Sequence, residues 1–250
     1  MTISSDPWAV VIFLNVVVFA AAILRGYTGF GFGMFAVPLA STVLDPTRVV
    51  PIVMSLQVLS GLLTLQADRE YINRTSTLVL VCTGLPFVAL GALALNVAPK
   101  HEVRLLVGCL TLAAAVMIPT MRSVRSMSPS KTFTALTGVT SGFLHGMVAM
   151  GGPPLTAFFL RGWFPPTIAR ASMTFVFTIY SIGPLIINVA NGSIDFSAAI
   201  GVAFLFPALF IGTKIGGRIF RLYPQRHKII GTSALGATGA IAIITAIHVG

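Results

Sequence analysis

Apolar segments follow one another almost without relief along this chain, over 8–24, 29–44, 49–65, 78–97, 105–120, 133–148, 151–160, 171–189, 198–213 and 229–247. Short polar stretches separate them. Segments of this length and composition belong in hydrocarbon, where every backbone amide must find its partner within the protein. Only helices or a closed barrel meet that demand. A barrel would show alternation of apolar and polar residues, and there is none, so the chain reads as an all-α polytopic membrane protein. Only 9% of its residues are charged, where a soluble domain carries about 25%. The segments and short loops leave no room for a soluble domain. The first run lacks a basic flank and is expected to be a retained span rather than a cleaved signal.

The net charge of +10 raises nucleic acid as a partner. However, the basic residues punctuate the hydrophobic segments and form no stripe, so membrane topology is the better account and no nucleic acid is expected. Cys82 and Cys109 fall in apolar segments and are read as packing residues, not as a disulfide or a metal site. The chain holds no HExxH and no P-loop Gly-Lys-Ser/Thr, so neither a metal nor a cofactor is expected.

The sequence also repeats. Gly26, Pro38 and Leu39 match Gly142, Pro154 and Leu155, Arg48 with Gly61 matches Arg170 with Gly183, and Pro86 with Gly91 matches Pro207 with Gly212. Two halves follow. The first repeat is 1–121, with a hairpin at 8–44 and spans 49–65, 78–97 and 105–120. A cytoplasmic linker, 122–131, leads to the second repeat, 132–250, with a hairpin at 133–160 and spans 171–189, 198–213 and 229–247. If each hairpin returns to its starting side, Arg69, Arg74, Arg122, Arg125, Lys131, Arg161, Arg170, Arg218, Arg221, Arg226 and Lys228 share one side. Only Arg48, Lys100 and Arg104 fall on the other. A single crossing per broken pair gives a weaker bias, so the expectation is inverted repeats with both termini periplasmic.

Each hairpin contains an interruption. Arg25 is followed by Gly26-Tyr27-Thr28-Gly29-Phe30-Gly31-Phe32-Gly33, and His145 by Gly146 and then Gly151-Gly152-Pro153. Glycine weakens a helix interior and proline breaks it. In a bilayer such breaks survive only where they are buried in protein or line a cavity, so paired breaks predict a site. Helix N-termini beginning at Gly31-Phe32-Gly33 and Gly151-Gly152-Pro153 would turn free amides toward an anion. The competing reading is close helix packing by small residues.

Arg25 is either an anion partner or an arginine snorkelling to the interface. His145, well inside its segment, is a candidate ligand and the candidate proton carrier, or else a satisfied core histidine. Thr28, Gln57, Thr174, Thr178 and Tyr180 could line a polar path, or make helix–helix hydrogen bonds. The carboxylates, Asp68 among them, all lie in loops or at segment ends, so a carboxylate relay is not expected. Lys214 reads as an interfacial anchor.

The run Gly26–Gly33 with Val37-Pro38-Leu39, together with Ser141-Gly142-Phe143 and Gly151-Gly152-Pro153 with Leu155, resembles the TauE/SafE family of sulfite exporters and toluene-sulfonate uptake permeases. The resemblance covers essentially the whole chain. It implies a bacterial inner-membrane carrier for sulfite, sulfoacetate or related organosulfonates, where the residues alone reach only a small anion. A carrier or channel for another small anion, such as a carboxylate, is the alternative. An intramembrane enzyme finds less support, since no buried nucleophile–base pair stands out. Membrane lipid and the anion are the expected partners, and a homo-oligomer is compatible with the sequence.

Overall fold

A computed structural model describes residues 7–120, 129–190 and 196–224 of the 250. The expected last span at 229–247, most of the linker and both termini lie outside the described residues. The described chain is helical, in the order α1 (Pro7–Thr28), α2 (Phe32–Ala40), α3 (Pro46–Asp68), a 3-10 turn (Arg69–Tyr71), α4 (Arg74–Val97), α5 (Lys100–Thr120), α6 (Lys131–Val148), α7 (Gly152–Leu160), α8 (Pro166–Ala190) and α9 (Phe196–Leu222).

Local chemistry sets several of these limits. Pro46 occupies the first turn of α3, where its missing N–H costs nothing. The Asn73 side chain accepts from the Ser76 amide at 2.9 Å, and Ser130 accepts from the Phe133 amide at 3.2 Å, which caps α4 and α6. Helices α1, α3, α4, α8 and α9 are long and apolar enough to cross a membrane. Ile12, Val16, Leu78, Leu90, Leu93 and Phe204 are exposed on the outer surface, an arrangement that suits lipid rather than water. Cys82 and Cys109 are also exposed rather than packed.

The interruptions fall between α1 and α2 and between α6 and α7. Gly29 and Gly31 adopt φ of 82° and 89°, a region that costs an L-residue strain. In the second interruption Ala149 takes the left-handed conformation, with φ 56°. Its amide bonds the His145 carbonyl at 2.8 Å, as the Gly29 amide bonds the Arg25 carbonyl at 2.7 Å.

Around the interruptions, the helix limits of the two sets recur at one spacing. From α1 to α6 the C-terminal residue moves from 28 to 148, from α2 to α7 the limits move from 32–40 to 152–160, and from α3 to α8 the start moves from 46 to 166. Each step is 120 residues, not the 116 that separates Gly26 from Gly142. In the structural register Arg25 and His145 are counterparts, each three residues before its helix ends.

Helix α1 lies along α9, α4 lies along α6, and α3 packs on α8 at the centre. Gly142 backs onto Gly84, Gly146 onto Val88, Gly212 onto Phe19 and Gly216 onto Ile23. The α1–α9 and α4–α6 seams are therefore backbone-to-backbone and parallel. The α3–α8 pair is antiparallel, because Gln57 meets Thr178 through Arg25 and Asp68 meets Arg170. At one end the starts of α1, α3 and α9 meet around Trp8, Arg48 and Ala198. At the other, the end of α3, the start of α8 and the end of α9 meet around Asp68, Arg170 and Arg221.

Candidate functional site at the two helix interruptions

Arg25 does not snorkel. It is 2% exposed, and its guanidinium turns into the protein. Nη1 donates to Gln57 Oε1 at 3.0 Å, and Nη2 donates to the Gln57 carbonyl and to Thr178 Oγ1, each at 3.3 Å. Nε is buried and makes no hydrogen bond. No carboxylate pairs with Arg25 among the described residues: the buried ion pair joins Arg170 to Asp68. Gln57 ties this cation to the second interruption, its Nε2 donating to the Ala149 carbonyl at 3.4 Å.

The interruptions touch at Gly33, where an added Cβ would collide with the Ala149 carbonyl. Between them lies a cavity of about 10 Å³, lined by Gly31, Gly33, Met34, Gln57, Ala149, Met150, Gly152 and Phe177. The starts of α2 and α7 both face it, but they are unequal. The first-turn amides of α2, from Phe32, Gly33 and Met34, have no helical acceptor by position. In α7, Pro153 and Pro154 carry no amide proton, which leaves Gly152 as the first-turn donor.

His145 is fully buried. Its Nε2 lies 2.9 Å from Ser181 Oγ, and its ring stacks on Phe177 with centroids 5.6 Å apart. Its Nδ1 is buried without a hydrogen bond. Nearby, the Ser141 hydroxyl donates to the Gly151 carbonyl and fixes the turn.

The remaining expected residues divide. Gly29 presses on the Arg170 backbone and Gly26 on α9, so both serve close packing. Gly151 faces Ser141 and His145, while Gly152 faces the flexible end of Met34. The Thr28 hydroxyl is engaged with the Leu24 and Phe30 carbonyls, at 2.7 and 2.8 Å. Thr178 reaches Arg25, and Thr174 Oγ1 donates to the Gly29 carbonyl at 3.4 Å. Tyr180 stands apart from Arg25: its hydroxyl donates to the Leu80 carbonyl at 2.7 Å and ties α8 to α4.

Three further residues take part in these buried polar contacts. Ser181 carries little signal alone, although it follows Thr174 and Thr178 at helical spacing. Asp68 and Arg170 read as loop-flanking charges, yet they are 7% exposed each and pair at 2.7 Å.

Helices able to span a membrane, an apolar outer surface and a buried cation at two meeting helix interruptions define a multi-pass membrane protein with a polar centre among its helices. The profile of the sulfite exporter TauE/SafE family matches residues 14–244, and the chain belongs to that family of membrane transporters. A probable sulfite/organosulfonate exporter TauE of Cupriavidus necator is 27% identical over 237 residues, 91% of each chain. No solved structure matches the chain.

Proposed function

We propose that this protein is a secondary transporter for a small sulfur-containing anion (sulfite, sulfoacetate or a related organosulfonate) bound between the two helix interruptions. The observation that carries the reading is Arg25: enclosed, tethered by the uncharged Gln57 and Thr178, and unpaired with any carboxylate among the described residues. An uncompensated buried charge costs roughly several kcal/mol, and a bound anion removes that cost. The free Arg25 Nε and the first-turn amides of α2 supply donors. The name of the Cupriavidus necator relative favours a sulfur oxyanion over a carboxylate.

A cavity of about 10 Å³ holds roughly one water, so the anion enters only when α2 and α7 part. We infer two inverted repeats, 1–121 and 132–250, that rock about this junction. The common 120-residue register supports this, as does the meeting of the starts of α1 and α3 at the end opposite the start of α8. The denser positive charge at the Asp68 end favours a cytoplasmic location for it in a bacterial inner membrane, with both termini periplasmic. His145, the counterpart of Arg25, is the proton-coupling group.

Proteoliposome counterflow with sulfite and sulfoacetate tests the reading. A charge-assisted contact is worth about 1.5–3 kcal/mol, so Arg25→Gln is expected to weaken apparent affinity about 10- to 100-fold. Wild-type transport in that variant would remove Arg25 from the site, and equal transport of acetate would return the substrate to small carboxylates. In the same vesicles His145→Gln should retain binding and lose the response of flux to an imposed pH gradient. An unchanged response would exclude His145 as the carrier.

A further inference from the structure

Two polar faces run away from Arg25 toward one end of the molecule. On α3 they are Gln57, Ser60, Thr64 and Asp68, and on α8, running the opposite way, Thr178, Thr174 and Arg170. Both sets recur at three- or four-residue spacing, which keeps each on one side of its helix. The rise of a helix puts Asp68 about 16 Å along α3 from Gln57. One turn on from Gln57, Ser60 and Thr213 share a hydrogen bond at 3.3 Å. Beyond it α3, α8 and α9 enclose a second cavity of about 490 Å³, whose charged lining is Asp68, Arg170, Lys214 and Arg221.

The two buried charges here are incompletely satisfied. Arg170 Nη1 binds Asp68 Oδ1 at 2.7 Å, and its Nε donates to the Gly26 carbonyl at 2.9 Å. Its guanidinium carbon lies 4.7 Å from the Phe220 ring centroid. Nη2 makes no hydrogen bond among the described residues, and Asp68 Oδ2 is buried without a partner. Lys214, expected as an interfacial anchor, is exposed and also contributes to this lining. Three cations thus face one carboxylate, and Arg170 retains an unused donor.

We propose that this cavity is an entrance subsite for a small sulfonate or other oxyanion, in which Arg170 binds the ligand and Asp68 is the internal anion that the ligand displaces. The proposal rests on the transport reading, since it supplies an approach to Arg25. With Asp68 on Arg170 the cavity is nearly neutral at its inner end. An oxyanion that takes Nη1 and Nη2 as a fork releases Asp68 and with it the tie between α3 and α8.

Charge-selective labelling tests this in the purified full-length protein without measuring flux. With Cys82 and Cys109 replaced by serine, Thr167→Cys places one thiol on the cavity lining. Its rates with 2-sulfonatoethyl methanethiosulfonate and with the trimethylammonium analogue are compared, each normalised to a free thiol. A cleft of one sign concentrates the opposite charge, so the sulfonate reagent is expected to react about tenfold or more faster. Asp68→Asn should raise that preference, Arg170→Gln should collapse it, and Arg170→Lys should restore much of it in a folded protein. Labelling indifferent to charge, or a preference untouched by both Asp68→Asn and Arg170→Gln, overturns the subsite. If the preference fails while transport still depends on Arg25, the subsite alone is lost. If the preference holds while Arg25→Gln transports normally, the subsite stands and the junction between the interruptions loses its role.

Discussion

At Gly33 two backbones meet with no room for a methyl group, because a Cβ there would strike the Ala149 carbonyl. Gly152, across the same cavity, faces the movable end of Met34. The two glycines look alike in the sequence and should respond differently. Gly33→Ala has to push the interruptions apart, and overpacking of this kind costs about 1–3 kcal/mol. A clear fall in melting temperature and loss of ligand-induced stabilisation are expected for it, with Gly152→Ala close to wild type in both measurements. Equal behaviour of the two variants would show that the junction is not held by this contact.

Helices in a bilayer gain little from hydrophobicity toward one another, so their seams depend on close packing. In the α4–α6 seam Gly138, Gly142 and Gly146 recur every fourth residue and admit the backbone of α4 at Leu80, Gly84 and Val88. The α1–α9 seam uses Gly26, Gly212 and Gly216 in the same way. Gly142→Leu is therefore expected to destabilise the folded protein by at least about 1–3 kcal/mol. Gly108, with nothing within 4 Å of its would-be Cβ, should tolerate alanine within about 0.5 kcal/mol. Detergent-solubilised unfolding of both variants checks the contrast, and a stable Gly142→Leu protein would mean that the seam yields.

Over the whole molecule, the ends of the helices sort into two groups, one around Trp8, Arg48 and Ala198 and one around Tyr71, Thr167 and Arg221. If the second group is cytoplasmic, Tyr71→Cys should react with a membrane-impermeant maleimide in inside-out vesicles only. Trp8→Cys should react in intact cells. Labelling of both positions from the same side would dismantle the inverted arrangement and the rocking built on it.

Where the helices break was legible because glycine and proline act on their own backbone, within a turn. The membrane setting followed from the lengths and composition of the apolar segments. The register between the halves stayed open in the sequence, where matched residues lie 116, 121 or 122 apart; several helix limits give 120, which makes Arg25 and His145 counterparts. Whether Arg25 turned outward or inward could not be read either, since its partners Gln57 and Thr178 stand 32 and 153 residues away. Asp68 looked like a loop charge until α8 brought Arg170 against it across 102 residues. Chain-local chemistry therefore determined the class of protein and the positions of its breaks. The direction of each buried charge was left to tertiary structure, because a side chain with several rotamers is oriented by groups that only folding brings near.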